Sequence, residues 1–139
     1  MYRIEEHDDE TVLVSEPEAN FDFSYTYADY LTWRIEDRVE LFKGRIFKMS
    51  GPNRIHQEVS GNIFLLIANY LKGKPCQIFS APFDVRLPVQ NRRNDNEVTT
   101  VVQPDLCVIC DPAKLDERGC CGAPDLVVEY FLRAIHKRK

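Results

Sequence analysis

The chain has 139 residues, 44% of them hydrophobic, and a formal net charge of −4, which suits one domain with a core of its own. Its longest apolar run, Ile63 to Ala68, falls far short of the roughly 20 residues of a membrane-spanning helix, and the acidic opening MYRIEEHDDE lacks the apolar stretch of a secretory signal. A cytoplasmic location is the expectation, and the overall acidity gives no support by itself to nucleic-acid binding.

Charge is unevenly spread, with −7 over residues 1–22 and +3 over the remainder. Residues 1–23 therefore read as a solvated, flexible acidic arm, and 24–139 as the folded domain. The mildly basic body is compatible with a polyanion. Structure is expected to begin near Ser24, where SYTYADYLTW offers Thr26 as a helix cap with Asp29 three residues on. Tyr27, Tyr30, Leu31 and Trp33 would form its packing face. VELFKGRIFKM alternates about Lys43-Gly44, which predicts a hairpin with Glu40 on its first strand and Gly44 at positive φ.

After Gly51-Pro52, the residues Ile55, Val59, Ile63, Leu66, Ile67 and Tyr70 recur at steps of three and four, predicting an amphipathic helix that ends near Gly73. CQIFSAPF and DVRLPV read as short strands interrupted by Pro82 and Pro88. QNRRNDNE reads as a loop, TTVVQPDLCVIC as one strand, DPAKLDERGCCGAPD as a second loop and LVVEYFL as the last strand. The order predicts an α/β (α+β) domain, a mixed sheet packed on the long helix. A strand as apolar as LVVEYFL asks for cover on both faces.

The odd set Cys76, Cys107, Cys110, Cys120 and Cys121 argues for a reducing compartment rather than a disulfide framework. Cys107 and Cys110 form a C-x-x-C, but a three-residue step on a strand sends the two sulfurs to opposite faces, which a closed zinc site cannot use. Small buried hydrophobes is the plainer reading.

Acids on strands carry the most information, because carboxylates are depleted there unless paired, ligated or at an edge. Three qualify: Glu40, Asp105 and Glu129. Glu129, set among Leu126, Val127, Val128, Tyr130 and Phe131, would be costly to desolvate without a compensating cation or donors. Were the strands of Asp105 and Glu129 neighbours, both acids would converge on one spot, a set of hard oxygen ligands suited to Mg²⁺ or Mn²⁺. The alternative is that Asp105 caps a turn after Pro104 while Glu129 pairs with Arg45, Arg86 or Lys48. Asp125 reads as a turn residue opening the strand.

The phrases YTYADYL, VELFKGRIFKMS, RIHQEVSGNIFLLIANYL, CQIFSAPFDVRLP, TVVQPDLCVICDPAKLDERGC and GAPDLVVE together resemble the Uma-two family of bacterial proteins, a branch of the PD-(D/E)XK, restriction-endonuclease-like superfamily. The resemblance runs from about Tyr25 to Glu129. It implies a central mixed sheet between helices and a divalent-metal site, Mg²⁺ or Mn²⁺, that hydrolyses DNA phosphodiesters. Its three acids fall on Glu40, Asp105 and Glu129, as metal ligands and catalytic residues, while His56 and Gln57 match a His-Gln pair at the start of the family's long helix. In the superfamily a lysine stands two residues after the last acid. Here Phe131 takes that place, and Lys137 in the basic tail is the substitute within reach. The family's following turn, helix and closing strands find no counterpart, so the domain is expected to be incomplete at its C-terminus and to cover its open sheet by self-association, as a homo-oligomer. The competing expectation is a non-catalytic module that keeps the nuclease fold and binds nucleic acid or its own copies.

Overall fold

The computed structural model describes residues 24–34, 38–49 and 51–131 in full, and the backbone course of 3–6 and 12–15. Helix α1, Tyr27–Tyr30, is one turn long and opens with the expected capping box: the Thr26 hydroxyl accepts from the Asp29 N–H, and Asp29 accepts in return from the Thr26 N–H at 2.8 Å. Tyr27 is fully buried and packs with Leu41, Val98 and Val101, with Tyr30 and Trp33 alongside. Leu31 stays outside this core, 45% exposed.

Strands β3, Val39–Phe42, and β4, Arg45–Lys48, form the hairpin over Lys43-Gly44, both at positive φ. Helix α2, Arg54–Leu71, follows. Its side chains at 56, 59, 60, 63, 64, 67, 68 and 71 are half-buried, the period that turns one stripe inward. No α2 residue is fully buried. Among the described residues no helix is long and apolar enough to cross a membrane.

The remaining strands divide between two sheets. One has eight strands in the order β1-β2-β4-β3-β7-β6-β10-β9, the other three in the order β11-β8-β5. Here β1 is Arg3–Glu6, β2 Val12–Ser15, β5 Gln77–Ser80, β6 Asp84–Arg86, β7 Val101–Val102, β8 Leu106–Ile109, β9 Leu115–Asp116, β10 Gly119–Cys121 and β11 Leu126–Val128. Among the described residues, only β6 and β10 pair in parallel, so the large sheet is mixed. Val85, Cys107, Ile109 and Cys120, drawn from both sheets, make a core cluster between them, while α2 packs beside β5 of the small sheet.

Several elements differ from the sequence expectation. TTVVQPDLCVIC is two strands, because Pro104 lacks a donor for a ladder and the chain crosses there from the large sheet to the small one. The loop expected over DPAKLDERGCCGAPD contains a 3₁₀ turn and the β9–β10 pair. Asp116 stabilises that hairpin by accepting from the N–H groups of Arg118 and Gly119. Within the acidic segment read as an arm, β1 and β2 pair antiparallel, and Val12 lies opposite Lys48 of β4. Cys76 and Cys110 are joined in a disulfide; the β5–β8 register, Gln77 opposite Ile109, sets them across from one another. With Cys110 so engaged and Cys107 buried in the core, its thiol pushed up to about 12 by burial, the C-x-x-C has no shared face for zinc.

Candidate metal centre

Strand β8 places the candidate site. Asp105 immediately precedes it, and Val128 of β11 lies opposite Leu106, so Glu129, the residue after β11, comes opposite Asp105. Their burial reverses the expectation. Asp105 is the enclosed acid, 7% exposed, whereas Glu129 lies just past its strand and is exposed as a residue, with only its carboxyl end crowded by protein. That crowding, a hydrogen bond to the Asp105 carboxylate and the nearby charges of Asp105 and Glu40 push the Glu129 carboxyl up to about 8. The partner of Glu129 is therefore another acid. Arg86, one of the cations considered for it, bonds Asp116 at 2.6 Å and the Cys120 carbonyl.

Both Asp105 oxygens meet other groups of the protein. Oδ1 lies 3.0 Å from His56 Nε2, and Oδ2 accepts from the Tyr130 N–H at 2.8 Å. His56 reaches Asp105 because Asn53 caps α2 and accepts from the His56 N–H at 2.8 Å, fixing the first turn. Glu40 sits on β3 near enough to act on Glu129, but its Oε1 accepts from the Gln103 N–H at 2.8 Å. Asp125 stands apart from the acids, accepting from the Cys110 N–H at 2.7 Å. Lys137 lies outside the described residues.

The group behind Glu40 went unread in the sequence. Gln103, 8% exposed, accepts from Arg38 Nε at 3.0 Å and donates to the Tyr30 hydroxyl and to Asp84 Oδ1. Asp84 also accepts from the hydroxyls of Tyr27 and Tyr30. A polar residue inside the apolar TVVQPDL was the one available hint. In front of Asp105 opens a cleft of about 340 Å³, lined by Arg38, His56, Gln57, Ser60 and Phe64 among others.

A family model whose description reads "Uma2: Putative restriction endonuclease" matches residues 27–130. This chain belongs to the Uma2 family. Its mixed α+β architecture is the restriction-endonuclease-like fold of Uma2. The chain is also similar to "Uncharacterized protein slr1290" of Synechocystis sp., at 31% identity over 105 residues, which are 74% of this chain and 51% of that protein. It thus spans about half the length of this curated relative.

Among the described residues, no three His, Cys, Asp or Glu side chains stand together at metal-holding distance. The Uma2 donor set nevertheless suits a hard divalent ion. Two carboxylates stand side by side there, with the neighbouring acids raising Glu129, and Mg²⁺ is commonly held by one or two carboxylates with water completing its shell.

Proposed function

We propose that Asp105 and Glu129 hold Mg²⁺ or Mn²⁺, with Glu40 close by, and that this site acts on DNA phosphodiester bonds. The observation that carries the reading is the convergence of two carboxylates at the ends of adjacent strands, one of them, Asp105, lining a cleft, in a chain of the Uma2 family. Like charges so placed favour a cation. When bound, such an ion would polarise a phosphate and lower the pKa of a coordinated water. The chain's own part is to orient the carboxylates through His56 and the Tyr130 N–H, and to admit the phosphodiester backbone beside Arg38, Gln57 and Ser60.

One observation favours a second reading, a nucleic-acid-binding module with little activity: two residues past Glu129 stands Phe131, 85% exposed, where the superfamily has its lysine. Removing one preorganised charged donor typically slows a reaction by about a hundredfold to a thousandfold.

Calorimetry with Mn²⁺ tests the site. Asp105→Ala should abolish binding and Asp125→Ala should retain most of it; equal binding by both would sink the assignment. Plasmid cleavage with Mn²⁺ tests the chemistry. Weak or absent cutting is expected, and vigorous cutting that disappears in Lys137→Ala would identify the tail as the source of the missing ammonium.

A further inference from the structure

We infer that His56 is a positioning residue for Asp105, acting with Tyr130 as a clamp that aims the remaining lone pairs of this carboxylate toward Glu129. The inference rests on the metal-site reading above and assigns to the protein's own residues the task of organising that site.

The clamp closes from two sides. From α2 comes the His56 imidazole, its Nε2 3.0 Å from Asp105 Oδ1. From the end of β11 comes the Tyr130 N–H, 2.8 Å from Oδ2. Tyr130 serves twice, because its ring also meets the His56 imidazole edge-on, with centroids 5.3 Å apart and planes at 81°. The imidazole is thus confined by a 3.0 Å contact to Asp105 on one edge, an aromatic ring against it, and a capped helix turn at its backbone. Asp105 in turn can neither rotate nor withdraw without breaking a bond to another element.

Little water competes for this arrangement. The side chains of His56 and Asp105 are 21% and 8% exposed, and hydrogen bonds to a carboxylate in such surroundings are stronger than those at a wet surface. Glu129 comes opposite Asp105 in the β8–β11 register, its carboxyl against the same carboxylate. The free directions on Asp105 are therefore the ones that face its partner acid, where a shared cation would sit. Donors that orient a ligating carboxylate in this way typically change metal affinity by about tenfold to a hundredfold when removed. The Nε2 of His56 is turned to Asp105, so through this nitrogen His56 acts on the carboxylate.

The test is Mn²⁺ binding to the full chain, measured by calorimetry, with thermal melts of each metal-free variant to establish folding. His56→Ala should weaken Mn²⁺ about tenfold to a hundredfold, while His56→Gln, whose amide can donate to Asp105, should recover most of the affinity. The electron spin echo of bound Mn²⁺ should show no directly coordinated histidine nitrogen. Unchanged affinity in a folded His56→Ala, with Asp105→Ala still abolishing binding, would overturn the positioning role alone. A nitrogen ligand in the spin echo, or a loss as complete as that of Asp105→Ala with no rescue by glutamine, would make His56 a ligand and overturn it too. Absence of Mn²⁺ binding by the unaltered chain would instead bring down the metal-site reading on which the inference stands.

Discussion

The carboxyl of Glu129, set against Asp105, gives the metal-free protein a definite pH signature. Crowding at the carboxyl end and the neighbouring acids raise Glu129 to about 8 in the folded chain, from the 4.5 of a free glutamate. The folded state therefore binds the Glu129 proton more tightly than the unfolded state. The resulting stability is fully present below about 4.5 and is lost as pH rises through about 8. Because Glu129 is open to solvent as a residue, screening trims the effect. Melting temperatures of the metal-free protein should fall between pH 5 and pH 8.5, as the linkage argument requires, and Glu129→Gln should flatten that fall. Parallel profiles for the two proteins would show that Glu129 is not the group responsible. The three acids were legible because each interrupts an apolar run. Gln103 and Asp84 were not, since their importance comes from partners as many as 73 and 57 residues away.

Among the elements, those specified by a few adjacent residues were the readable ones: the capping box of α1 and the Lys43-Gly44 turn. Helix α2 was readable as an element, but its inward stripe only in part, since Ile55, Leu66 and Tyr70, expected on it, are exposed. Gly44 lies at φ +78°, and a Cβ there would collide with the Ser24 hydroxyl. Gly44→Ala should therefore destabilise the protein by at least the roughly 1 kcal/mol that a left-handed backbone costs an L residue. In contrast, Gly61 sits inside α2 with nothing near its would-be Cβ. Gly61→Ala should stabilise by about 0.5–1 kcal/mol through helix propensity. Denaturant unfolding of the two variants should shift midpoints in opposite directions; a common direction would contradict the turn or the helix assignment. The β7–β8 break and the β9–β10 pair escaped the sequence because both depend on which sheet receives the chain. Pro104 marked a discontinuity, yet nothing local told on which side of it a second sheet begins.

On the scale of the whole molecule, β11 is an edge strand whose Leu126 and Val127 are 47% and 48% exposed, followed by Phe131 at 85%. Adjacent exposed residues on a strand point to opposite faces, so both faces are apolar and open there. Such an edge invites pairing with another chain. The isolated protein should self-associate with concentration, as sedimentation would show, and Val127→Lys should shift it toward monomer. A clean monomer at high concentration would refute this. The class of fold was legible from the order of helix and strands. The division into two sheets was not, because it is decided by pairings such as β6 with β10, which join residues more than 30 positions apart.

The crossing at Pro104 also acts as a ruler. Gln103, which grips Glu40, closes the run from the large sheet, and Asp105, two residues later, opens the small one. A proline ring with its fixed φ stands between them, so a small slip of one layer over the other is transmitted to the spacing of the acids with little slack to absorb it. The thickness of the layer between the sheets is set by Val85, Cys107, Ile109 and Cys120. Since a misplacement of about 1 Å can cost a reaction on the order of a hundredfold, these four apolar side chains are the calibration of a polar site built from other residues.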